Sequence, residues 1–176
     1  QYRVAPHSEV INTLMAAAQN GKKVTVFVEL KARFDEENNL ATAELMQKAG
    51  IHIIYSIPGL KVHAKVALVL RRHKDGLLKR SFAYISTGNF NEKTATVYAD
   101  SALITSKQEI VDDLYNLFSF LRRDITEPKF KHLLVPRFNL LPELKRRLEF
   151  EKNMAKAGKK AYIILKMNAL QDPAMI

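Results

Sequence analysis

The chain has no cysteine. Disulfides and thiolate metal sites are therefore excluded, which fits a cytosolic setting without establishing it. It also lacks any apolar run approaching the ~20 residues a membrane-spanning helix needs. Acidic residues are in short supply, 18 against 28 lysines and arginines, a net charge of +10. The remainder is ordinary: 176 residues, 47% apolar and 26% charged, enough to bury a real core, with one domain as the default expectation. The chain opens at Gln1, directly in a strand-like Tyr2-Arg3-Val4, and is expected to be a piece of a larger protein.

The basic excess is unevenly spread. Residues 61–93 carry eight Lys or Arg against two acids, and residues 121–160 carry twelve against five. The first sixty residues balance, and 94–120 is acidic. A basic zone of this kind concentrates a polyanion near the surface. The second cluster, which includes Lys145-Arg146-Arg147, reads equally well as a solvated helix face. The first cluster surrounds a histidine motif and is weighted towards function.

Residues 2–5 read as a short strand. Ser8 is the N-cap of a helix running to Asn20, with Gly21 at its end. Lys23–Leu30 is β-branched and reads as a strand. The polar loop Ala32–Asn38 leads to a second helix ending near Gly50, then a strand over Ile51–Tyr55 and a turn at Pro58-Gly59. That alternation argues for a largely parallel sheet with right-handed crossovers. Val62–Arg71 and Lys79–Ser86 flank His73-Lys74-Asp75-Gly76 as a hairpin. A further strand is expected over about Thr96–Ile104. Ser106-Lys107-Gln108-Glu109 has the spacing of a capping box and opens a helix with Ile110, Leu114, Leu117 and Leu121 at helical intervals. After an irregular stretch from Asp124 to Asn139, a last helix spans about Pro142–Ala157. Ala161–Lys166 then reads as a new strand that echoes the chain's beginning, which points to an internal repeat. The domains expected are therefore 1–158, and 159–176 as the start of a second.

The chemistry concentrates in Lys61-Val62-His63-Ala64-Lys65, followed by Thr87-Gly88-Asn89-Phe90-Asn91-Glu92-Lys93-Thr94. Alternation along a strand puts His63 and Lys65 on one side. An imidazole nitrogen can attack phosphorus while an ammonium neutralises the non-bridging oxygens. A Gly-Asn turn closing the next strand can add N–H donors to the same phosphate. Of the other histidines, His7, His73 and His132 read as solvated and His52 as a packing residue. Tyr98 alone reads as a core aromatic of a strand. Asn89, Asn91 and Lys93 can serve simply as turn formers. Arg33 follows the strand ending at Leu30, at the carboxyl end where parallel sheets bind ligands. Arg3 lies within a strand. Each could equally pair with Glu29 or Asp35.

His-x-Lys joined to TGNFNEKT resembles the histidine-lysine signature of the phospholipase D superfamily, as modified in polyphosphate kinases of the first type. Tyr2-Arg3-Val4-Ala5, VTVFVELKARFDEE over residues 24–37, Pro58-Gly59-Leu60-Lys61 and Glu92–Asp100 follow the same family pattern, more loosely after Leu121. The fold this implies is α/β and phospholipase D-like: a mixed, largely parallel sheet with flanking helices. The activity implied is reversible transfer of the γ-phosphate of ATP to inorganic polyphosphate through a phosphohistidine. His63 and Lys65 would be catalytic, while Tyr98, Asn89 and Lys93 would contact the nucleotide. Arg3 and Arg33 match positions assigned to the Mg²⁺ site. Because arginine is a poor metal ligand, they are expected to grip phosphate oxygens near a phosphate-held ion. The resemblance also implies a second histidine in a following domain, other domains of the parent protein as partners, a homo-oligomeric parent, a cytoplasmic setting that leaves peripheral membrane association open, and no specific nucleic-acid partner. Attack requires a neutral nitrogen on His63 and is expected to fail at low pH.

Two departures stand out. A phospholipase D signature has Asp five residues after the Lys, where this chain has Leu70. That weighs against the competing reading as a phosphodiesterase or nuclease. Ser86 stands where the kinases usually have Gly. A third reading, for this chain alone, is a polyanion-binding module without turnover.

Overall fold

The computed structural model describes residues 4–5, 7–32, 35–72, 78–167 and 169–173. Arg3, Arg33 and the His73–Gly76 turn lie outside them. The chain divides into two compact units, Gln1–Lys129 and Phe130–Ile176.

The first unit begins with α1 (Glu9–Gln19), capped by Ser8, whose hydroxyl accepts from the Val10 N–H at 3.2 Å. Next come β1 (Thr25–Val28), α2 (Glu36–Lys48) and β2 (His52–Tyr55). The two strands pair in parallel, Thr25 opposite His52 and Val28 opposite Tyr55. Helix α2 starts within the expected loop. Asp35 is its N-cap, and Glu36 and Glu37 occupy the first turn, where the helix dipole favours negative charge. Val4, Ile11, Val26, Val28, Ala43, Met46 and Ile51 bury together as the core between these elements.

The rest of this unit is antiparallel. β3 (Lys65–Arg72), β4 (Leu78–Ser86) and β5 (Ala102–Thr105) form a three-stranded sheet in that order. The expectation of a largely parallel sheet is corrected here: among the described residues one strand pair is parallel, and the three-stranded sheet is not. The connection from β3 to β4 spans only residues 73–77, far too few for a crossover, so the strands must reverse. A single parallel bridge joins Val4 to Phe90.

Two further expectations change. Thr96–Ile104 is not one strand: α3 (Glu92–Ala95) and a turn precede β5, because Asn91 caps a helical turn by accepting from the Thr94 N–H at 3.1 Å. Ser106 does not cap α4 (Gln108–Leu121). The N-cap is Lys107, and the Ser106 hydroxyl instead accepts from Arg80 Nε at 3.2 Å. The helix itself stands as expected: α4 rests against β3 and β4 and buries Val111, Leu114 and Leu121.

In the second unit, Asn139 organises the irregular stretch. Its Oδ1 accepts from the Val135 N–H at 2.8 Å, and its Nδ2 donates to the Leu133 carbonyl at 2.9 Å. α5 (Leu140–Lys156) follows. Its exposed Arg146 and Arg147 both reach Glu143, at 2.7 and 2.8 Å, and these bonds pull that carboxyl down to about 2. The Lys145–Arg147 cluster is thus, in part, a self-paired helix face. Ala161–Lys166 forms no strand, joining no ladder among the described residues, and Tyr162, Ile163, Ile164 and Leu165 stand exposed. No helix among the described residues is long and apolar enough to cross a membrane.

Candidate active site

The β3–β4 register decides what meets at the motif. Lys65, the first residue of β3, pairs with Ser86, the last of β4. The His63-Ala64-Lys65 segment and the Thr87-Gly88-Asn89 turn therefore diverge from the same end of one hairpin. Two motifs about twenty residues apart in sequence become neighbours through that one pairing.

His63 is not itself in a strand, contrary to expectation. The ladder starts at Lys65 because beyond Ser86 the partner chain turns away to meet the residues before β5: the Thr87 N–H donates to the Ser101 carbonyl at 3.1 Å. Residues 61–64 carry no regular secondary structure and take a backbone anchor elsewhere. The same-side relation nevertheless holds. Lys65 Nζ lies 2.9 Å from His63 Nδ1 and 3.0 Å from Nε2, and it donates to the His63 carbonyl at 2.8 Å. Lys65 is only 3% exposed, whereas the His63 side chain faces solvent. A buried cation thus grips the ring and backbone of a solvent-facing imidazole and gives it a positively charged setting.

The anchor for residues 61–64 comes from a residue that motif reading passed over. Glu29 follows β1 and is 1% exposed. Its Oε2 accepts from the Val62 N–H at 2.9 Å, and its Oε1 accepts from the Ser56 hydroxyl at 2.6 Å and the Lys31 N–H at 3.0 Å. Ser56 in turn accepts from the Leu30 N–H at 2.8 Å. Burial opposes ionisation of Glu29, but these donors, with the charge of Lys61, outweigh it and hold the carboxyl below its ordinary value. The sequence signal was present: a lone acid inside VTVFVEL, at the carboxyl end of a parallel strand.

The turn is equally well tied. Thr87 Oγ1 donates to Asp100 Oδ1 and accepts from the Ser101 N–H, both at 3.0 Å. The Gly88 N–H donates to Ser86 Oγ at 2.9 Å. A side chain on Gly88 would come within 2.6 Å of Asp100 Oδ2, so this turn admits glycine alone without rearrangement. The Asn89 amide oxygen is buried and has no donor among the described residues. Turned round, the same amide would aim N–H groups there, the polarity a phosphate oxygen needs. Asn91 is committed to capping α3. Glu92 docks α3 onto the start of α1 by accepting from the Ser8 hydroxyl at 2.7 Å and the Glu9 N–H at 3.2 Å. The Ser8 bond leads in holding its carboxyl below the ordinary value. Lys93 lies exposed on α3. Tyr98 is 67% exposed in the turn after it, and so is not the core aromatic its sequence surroundings indicated.

Among the described residues no three His, Asp or Glu side chains converge as a bound metal would require. Glu29 is saturated by donors, and arginine has no lone pair to give. The described residues do not fit a resident divalent cation.

The chain matches the family model described as polyphosphate kinase C-terminal domain 1 over residues 1–127. It is 45% identical over 175 residues to a polyphosphate kinase of Vibrio vulnificus and 43% identical to one of Staphylococcus saprophyticus. These matches cover 99% of this chain but 25% and 24% of those proteins. The crystal structure of the polyphosphate kinase from Porphyromonas gingivalis superposes with a TM-score of 0.86 at 52% identity, over 99% of this chain and 29% of that one. The chain thus spans about a quarter of the length of the curated relatives it matches.

Proposed function

The chain belongs to the polyphosphate kinase family, through its C-terminal domain 1, and we propose that it carries the phosphoryl-accepting half of a reversible ATP:polyphosphate phosphotransferase site. One His63 nitrogen attacks the γ-phosphorus of ATP. The N–P bond forms as the bond to the β-phosphate oxygen breaks, and ADP leaves with that electron pair while the other ring nitrogen keeps its proton. A terminal oxygen of polyphosphate then attacks the same phosphorus, and the N–P electrons return to the ring. Dividing one transfer into two steps suits repeated addition to a polymer end.

The observation that carries this reading is the buried Lys65 ammonium gripping an exposed imidazole, 2.9 Å from its nearer nitrogen. In this reading Lys65 offsets charge on the transferring phosphoryl group. Asn89 and Lys93 contact the phosphates, and Tyr98 stacks on adenine, for which its exposed ring is suited. Arg3 and Arg33 grip phosphate oxygens. Magnesium enters as part of the substrate, chelated by the phosphates of ATP.

Residues 1–158 form the first phospholipase D-like catalytic domain in this proposal. Residues 159–176 begin a second, whose own histidine completes the site in a cytoplasmic, homo-oligomeric parent. The exposed apolar stretch Tyr162–Leu165, which joins no ladder among the described residues, supports that division, because a strand of this composition needs a partner to pair with. On this view the isolated chain binds polyphosphate but does not elongate it.

The test is polyphosphate synthesis from ATP by the full-length protein and its His63→Ala variant. Loss of synthesis in a folded variant is the expected result; sustained synthesis would contradict the proposal.

A further inference from the structure

We propose that Glu29 is the positioning residue for His63: it fixes the imidazole relative to the parallel strand ends by holding the Val62 N–H. This rests on the reading of His63 as the phosphoryl acceptor, and extends it to a group that touches neither phosphate nor the reacting ring.

The geometry assigns this role. Residues 61–64 lie outside the β3–β4 ladder, which begins at Lys65, and two bonds of the described residues flank the His63 side chain. On one side Lys65 begins β3 and returns to the His63 carbonyl at 2.8 Å. On the other, the Val62 N–H reaches Glu29 Oε2 at 2.9 Å. Glu29 is itself immobilised. Its Oε1 is taken by Ser56 and Lys31, and its carbonyl accepts from Asn39 Nδ2 at 3.0 Å. Ser56 follows β2 and Glu29 follows β1, so the carboxylate clamps both strand ends together and presents its second oxygen to the segment carrying the histidine.

The chemistry of the site calls for a carboxylate. Its Oε1 and Oε2 both face donors, and an amide has one acceptor oxygen and an NH₂ group. In Glu29→Gln that NH₂ must oppose either the Val62 N–H or the Ser56 and Lys31 donors, and a part-buried donor loses its partner. A displacement of the nucleophile by about 1 Å costs roughly a hundredfold in rate, so even partial loosening is measurable.

The experiment follows single-turnover phosphorylation of His63 by ATP in the full-length protein, alongside hydrogen exchange of the Val62 amide. Glu29→Gln is expected to slow phosphorylation at least tenfold, to leave the KM for ATP within about twofold, and to speed Val62 exchange. Met46→Ala, which loosens the core without touching this network, serves as the control for lost stability and should keep its rate. Glu29→Asp retains the charge on a shorter arm, covers the case of a Glu29→Gln protein that does not fold, and should give an intermediate rate. The proposal is overturned if the Glu29 variants phosphorylate His63 at the wild-type rate, or if Met46→Ala slows the step as much. A wild-type protein unlabelled at His63 refutes the reading of His63 itself. A labelled wild type with equally labelled Glu29 variants refutes only the role of Glu29.

Discussion

Replacing Gly88 by alanine tests the close approach on which the motif turn depends. The new methyl carbon would lie 2.6 Å from Asp100 Oδ2, 2.8 Å from its Cγ and 3.0 Å from its Cβ. The first two contacts can be relieved by swinging the exposed carboxylate outward, at the expense of the bond Thr87 Oγ1 donates to Asp100, ~0.5–1.5 kcal/mol. The third lies too near the backbone to be relieved that way, and forcing extra volume into a fitted site costs ~1–3 kcal/mol. Gly88→Ala is therefore expected to destabilise the protein by about 2 kcal/mol, read from the urea midpoint at unchanged slope. Asp100→Ala alone loses only the hydrogen bond. Combined with it, Gly88→Ala should cost less, leaving a coupling of about 1 kcal/mol in the double-mutant cycle. Strict additivity, or a Gly88→Ala protein as stable as the parent, would refute this account of the turn.

Lys65→Met keeps the buried aliphatic stem and removes the ammonium; phosphorylation of His63 should fall about a hundredfold or more while the melting temperature holds, as rate and calorimetry will show. Met46→Ala, at a fully buried position in the α2 core, is expected to lose about 2–5 kcal/mol by urea titration. Glu29 contributes stability through a lowered carboxyl pKa. That contribution is fully present above the ordinary value of 4.5 and is lost as pH falls below it, since the unfolded chain then binds the proton more readily. Glu29→Gln should therefore flatten the fall in urea midpoint on acidification below 4.5, and an unchanged slope would count against the clamp.

How far the sequence reached depended on whether each signal was local. α1 was legible because Ser8 and Gly21 bracket an amphipathic repeat, and the β3–β4 hairpin because two β-rich runs flank a short polar turn. The share of parallel pairing was overestimated: the βαβ rhythm of the first half governs only the β1–β2 pair, and β5 joins the hairpin in antiparallel register as well. The start of the strand expected through Tyr98 failed for a local reason: Asn91, read as a turn former, caps α3, and the turn that closes α3 commits the Val97 and Tyr98 N–H groups to the Thr94 carbonyl. His63 and Lys65 were found as a pair from their alternation. The anchor that places them was not, because Glu29 lies over thirty residues away and meets Val62 only once the parallel strands are assembled. Arg33 drew notice from its place after a strand and Arg3 from the family resemblance, and both lie outside the described residues.

The most direct measurement of the central claim is a map of the phosphate on the full-length protein after brief exposure to ATP. Alkaline quenching preserves phosphoramidates, and mass spectrometry of the peptides then gives the site. Acid-labile phosphate on His63, absent from His63→Ala and chased off by polyphosphate or ADP, is the expected result. Phosphate elsewhere, with His63 unmodified, would contradict the account.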